Sequence, residues 1–147
     1  MDNITSEKFK KLFKKFLAAK STVLMAHEYT YTNKSPVKVR EVLSNLSERE
    51  FKIKTYKPRY RRSKALAMTN GVDIYLNELK LNRSVASLYG SIAHEYAHLC
   101  GFKHGNNCIA WYCGGKKKLR SVPYFIGIEF KRWLDKNPDM IHSTQNN

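Results

Sequence analysis

Acidic residues are scarce in this chain. Twelve aspartates and glutamates face 27 lysines and arginines, which leaves a formal charge of +15 over 147 residues. Such an imbalance points either to an anionic partner (nucleic acid, a cell-wall polymer, a membrane surface) or to a solvated lysine-rich surface. No apolar run reaches the length of about 18 residues that reads as a membrane span. The lysine-rich N-terminus also lacks the unbroken apolar stretch and cleavage site of a secretory signal. Cysteine is rare and odd in number, at Cys100, Cys108 and Cys113, whereas a secreted disulfide scaffold shows an even count. These absences point to a reduced, cytoplasmic setting, with release by a non-classical route left open. Internal repeats and linkers are missing too. Residues 1–147 therefore read as one domain, long enough for its own core and expected to be monomeric.

What the chain does carry is concentrated in His94-Glu95-Tyr96-Ala97-His98-Leu99-Cys100-Gly101-Phe102-Lys103-His104. Residues four apart on an α-helix are separated by roughly 40° and about 6 Å of rise. His94 and His98 can therefore grip one cation from a single face. Glu95 lies about 100° round the helix and suits work on a water beside that cation. Gly101 is the expected helix stop, because glycine adopts the left-handed conformation without a steric penalty. The chain then turns back and offers His104 as a third ligand. Three ligands on a four-coordinate ion leave one position open, as in catalytic zinc sites. Cys108, four residues past His104, would close that position if it ligated; a Cys108–Cys113 bridge is the competing use of these thiols.

This string resembles the metzincin zinc-peptidase signature HExxHxxGxxH. The resemblance implies one zinc ion on His94, His98 and His104, with Glu95 as general base and acid. It also implies a zincin-like α+β fold, a small mixed sheet with an active-site helix, covering about Thr22 to Asn137. The sheet's edge strand would pair with an extended substrate. The pattern departs from the family after the third histidine. At Ser121-Val122-Pro123-Tyr124 the position of the Met-turn methionine holds valine, and Tyr124 stands where some members carry a tyrosine. Tyr124 or Tyr112 is the candidate to steady the oxyanion. Cys108 and Cys113 faintly resemble part of the archaemetzincin pattern, but the full set for a second zinc is absent.

The remaining elements follow from periodicity and caps. Phe9, Leu12, Phe13, Phe16 and Leu17 recur at helical spacing among lysines, which predicts an amphipathic helix within residues 1–20. Its apolar face suits packing against the sheet better than lying on a membrane. Thr22 to Thr32 reads as a strand, with His27 structural or exposed. Ser35-Pro36 opens a helix carrying Val39, Val42, Leu43 and Leu46. Phe51 to Tyr56 alternates as a half-buried strand. Asn70-Gly71 predicts a hairpin between Lys64–Thr69 and Val72–Leu76. The metal helix is expected to start at Asn82. Pro123 starts a last helix that Asn137-Pro138 ends, and residues 139–147 are expected to form a frayed tail.

The expected function is zinc-dependent peptide hydrolysis. Seven basic residues between Lys52 and Lys64, interleaved with Tyr56 and Tyr60, support a rival: a nucleic-acid-binding protein with a structural or vestigial zinc site. A peptidase tethered by its charge to DNA or a cell-wall polymer combines the two. A lytic peptidase of toxin or phage type differs in substrate and not in chemistry.

Overall fold

The computed structural model describes residues 4–60, 65–105 and 115–145. Over these residues the chain is mixed α+β, with seven α-helices and one three-stranded sheet. No helix among them is long and apolar enough to cross a membrane.

Helix α1 (Ser6–Ala19) is capped by Thr5, whose hydroxyl accepts from the Lys8 N–H at 3.2 Å. Phe9, Phe13 and Phe16 are fully buried. Phe9 and Phe13 each lie 5.4 Å from the Tyr96 ring, and Phe16 lies 5.1 Å from Phe130. The aromatic stripe thus packs on two helices rather than on the sheet. It is no longer available to a membrane surface, while Lys11, Lys14 and Lys15 remain exposed.

Residues 22–32 depart from the expected strand. Ser21–Ala26 forms a short helix, α2, that continues from α1 through Lys20. Only Thr30 makes a β-bridge, to Ser121. The β-branched content of this stretch favours a strand, yet no neighbouring strand pairs with it, and buried Leu24 anchors the helical alternative. Helix α3 (Pro36–Ser44) follows, with Ser35 accepting from the Lys38 N–H at 3.2 Å.

The sheet has the order β1-β3-β2, from β1 (Ile53–Tyr56), β2 (Ala67–Thr69) and β3 (Ile74–Asn77). Strands β1 and β3 run parallel, whereas β2 and β3 are antiparallel. The expected hairpin forms, but its connection spans Asn70 to Asp73 instead of two residues. The Asn70 side-chain oxygen accepts from the Val72 and Asp73 N–H groups, each at 2.9 Å, which mimics a backbone turn. Asp73 then accepts from the Lys52 N–H at 2.7 Å and pairs with Lys54 at 3.2 Å, tying the turn to β1. The Asn77 N–H donates to the Leu66 carbonyl. With Met68 opposite Tyr75, Leu66 and Met68 direct their backbone groups toward β3, and Ala67 and Thr69 direct theirs outward. Among the described residues β2 has no other strand partner.

Helices α4 (Val85–Leu99) and α6 (Val122–Lys136) form the centre of the molecule, with α5 (Gly115–Leu119) preceding α6. They approach at Gly90 and Gly127. A Cβ built on Gly90 would stand 3.0 Å from the Gly127 carbonyl oxygen, and one on Gly127 would stand 2.9 Å from that of Gly90. Asn137 ends α6, donating from its side chain to the Trp133 carbonyl at 2.8 Å. The expected frayed tail is instead a helix, α7 (Pro138–Gln145). Proline suits its first turn, and Met140 and Ile141 pack against the core.

Candidate metal centre

Helix α4 starts two residues later than expected. Ser84, not Asn82, is the cap, accepting from the Ser87 N–H at 3.1 Å. Leu88, Tyr89, Ile92 and Tyr96 then face the core. His94 and His98 project from another side, toward a cleft of about 930 Å³ walled by α4, α6 and residues 65–69.

The helix ends as its glycine predicts. Gly101 takes φ +95°, its N–H donates to the His98 carbonyl at 2.9 Å, and the Phe102 N–H donates to the Ala97 carbonyl at 3.1 Å. This is the Schellman pattern, and buried Phe102 supplies its hydrophobic lock. The turn swings the chain back, and His104 joins the pair. One ring nitrogen from each of His94, His98 and His104 lies within 4.8 Å of the others. Beyond His104, the Tyr31 ring packs so closely on Gly105 that a Cβ there would meet it at 2.9 Å. Tyr31 itself holds φ +61°, a strained conformation for its type.

Proton positions favour ligation. The Phe102 carbonyl, 2.9 Å from His98 Nδ1, can only accept, so Nδ1 carries the proton and Nε2 is free. His104 Nδ1 is buried with no hydrogen-bond partner among the described residues. Burial pushes the His94 pKa down to about 3, helped by His98, His104 and Lys118 and opposed by the Pro123 backbone. His98 and His104 are also lowered, burial again being the main cause. Three neutral imidazoles converge, with no carboxylate in the ligating set. That donor chemistry fits a zinc-like divalent ion and not magnesium or calcium.

Glu95 is 8% exposed and lines the cleft. Burial pushes its pKa up to about 7. Among the described residues no hydrogen bond or ion pair reaches its carboxylate. Tyr124, on the first turn of α6, sets its ring 4.6 Å from His94 and 4.9 Å from His104. Val122, where the resemblance would place the Met-turn methionine, is fully buried. Cys108, Tyr112 and Cys113 lie outside the described residues.

No family model, curated protein or solved structure matches the chain. Two neighbours carried no local sequence signal. Lys118 holds its ammonium 5.1 Å from the Tyr124 ring centre. Tyr31, distant in sequence, reaches the loop of His104 through its ring contact with Gly105. Arg83 is a third unexpected participant: it lines the cleft beside Ser87 and Ser91. Serines four apart facing an arginine at the helix start were the available signal there.

Proposed function

We propose that this chain is a zinc-dependent peptidase. The observation that carries this reading is a buried, unpaired carboxylate next to three convergent imidazoles in an open cleft. His94, His98 and His104 would hold the ion. When bound, zinc supplies a Lewis acid that polarises the scissile carbonyl and brings a ligated water toward ionisation near neutral pH.

The chain's own groups account for the remaining steps. Glu95, poised near neutrality, accepts the proton of the attacking water and delivers it to the leaving amine nitrogen. The Tyr124 hydroxyl, on a ring 4.6 Å from that of His94, is the donor assigned to the negative charge that develops on the carbonyl oxygen. The outward N–H and C=O groups of Ala67 and Thr69 offer an extended peptide a backbone ladder along one wall of the cleft. Helix α4 fixes two ligands and the base on one rigid element, so little has to move during the reaction.

The test compares the zinc-loaded protein with Glu95→Gln in a peptide-library digest. The variant is expected to keep its metal, read by elemental analysis, and to lose about 10²-fold or more of its hydrolytic rate. Full activity in the variant would sink the assignment of the base. A metal-loaded parent that cleaves nothing would sink the peptidase reading itself.

A further inference from the structure

The cleft continues along α4 toward its N-terminus, away from the histidines. Arg83 lies across the first turns of the helix there. Its Nε donates to the Lys80 carbonyl at 2.8 Å, and its Nη1 donates to Ser91 Oγ at 2.9 Å and to Ser87 Oγ at 3.3 Å. Arg83, Ser87 and Ser91 all line the cleft. The two serines stand on the side of the helix that leads to His94, Glu95 and His98.

Two features of this group are unbalanced. Nη2 of Arg83 is buried without an acceptor, and no carboxylate pairs with the guanidinium among the described residues. Burial accordingly holds the Arg83 pKa below its ordinary value. Each serine oxygen accepts a hydrogen bond from Arg83, which leaves its own O–H to point elsewhere. Neither hydroxyl donates to a protein acceptor among the described residues. Two hydroxyl donors with an uncompensated positive charge behind them suit an anion. Across the cleft, Lys131 adds a second cation, partly met by Asp135 at 2.8 Å.

We infer that Arg83, Ser87 and Ser91 form a subsite that selects peptide substrates bearing a carboxylate near the scissile bond. The inference names the substrate class of the site above and rests on the peptidase reading. Ser91 and Ser87 precede His94 by about 4.5 and 10 Å of helix rise. An extended peptide advances about 3.3 Å per residue. The carboxylate therefore belongs about one to three residues from the bond that is cut. It is an aspartate or glutamate side chain, or the C-terminal carboxylate of a short peptide.

The experiment uses the full zinc-loaded chain and peptide pairs that differ only by Glu against Gln at each position, or by a C-terminal acid against its amide. The parent is expected to favour the carboxylate at one fixed position by about tenfold or more in kcat/KM. A response to the Glu/Gln exchange assigns a side chain; a response to amidation assigns the chain end. Arg83→Ala should abolish the preference while the Gln peptide keeps its rate within about threefold, and Arg83→Lys should restore part of it. Equal losses on both peptides would reduce Arg83 to a structural tie and overturn the subsite, as would an indifferent parent. Should Arg83→Ala fail to fold, the Ser87→Ala/Ser91→Ala double variant takes its place. If the parent cleaves nothing, labelled Glu and Gln peptides titrated onto Glu95→Gln decide the matter without turnover. A Glu preference that Arg83→Ala removes upholds the subsite while the peptidase reading falls; equal affinities overturn the subsite as well.

Discussion

A carboxylate as buried as Glu95, with no hydrogen-bond partner among the described residues, destabilises the fold whenever it is charged. The sign follows from its raised pKa. Below the ordinary value of 4.5 the carboxyl is neutral in both folded and unfolded chains and costs nothing extra. As pH rises toward about 7 the unfolded chain ionises first, and the folded state loses stability. Metal-free Glu95→Gln should therefore be more stable than the parent at pH 8, by on the order of 2 kcal/mol, and equal to it at pH 4. Urea unfolding in the presence of a chelator at the two pH values checks this. An unchanged difference across that range would mean that Glu95 is solvated. At His104, replacement by alanine would remove one of the three proposed ligands while the α4 pair stays in place. Zinc affinity should fall at least about tenfold in a competition titration with a chromogenic chelator, with the apo fold retained.

The elements that were legible in the sequence are those whose signals are local. Ser35-Pro36, Pro123 and Gly101 each mark a boundary that the structure keeps, because caps and left-handed turns are settled within a few residues. The spacing of His94, His98 and His104 was readable for the same reason. Residues 22–32 misled because strand propensity counts only where a partner strand exists. Asn82 and Ser84 are both competent caps, and nothing local decides between them. The cleft as a whole was illegible, since residues 65–69 and helix α6 meet α4 there only through tertiary contacts. So was the role of Gly90 and Gly127, which lies in the meeting of two distant helices. A methyl group on Gly127 would meet the Gly90 carbonyl and, at 3.3 Å, the His94 Cβ. Gly127→Ala is expected to destabilise the fold by about 1–3 kcal/mol. It should weaken metal binding in parallel, read by denaturant unfolding and zinc titration on the same sample.

For the molecule as a whole, a metal held by the three histidines would bridge α4 to the loop beyond it, so its binding would be linked to global stability. Zinc at a hundredfold excess over its dissociation constant stabilises a folded state by about 2.7 kcal/mol. In a domain of this size that raises the melting temperature by about 5–10 °C. Calorimetry with and without zinc should show the rise, and His104→Ala should largely erase it. The charge of +15 belongs to the same scale. Duplex DNA or another polyanion should associate with an affinity that falls steeply with salt and is indifferent to Glu95→Gln. Salt-independent or absent association would leave the excess lysine as a solubilising surface.

Gly90 and Gly127 both belong to the floor of the cleft. Where they meet, main chain rests on main chain, and no side chain lies between to compress or swing aside. The spacing of α4 and α6 at that point is accordingly set by their backbones, and no rotamer change can alter it.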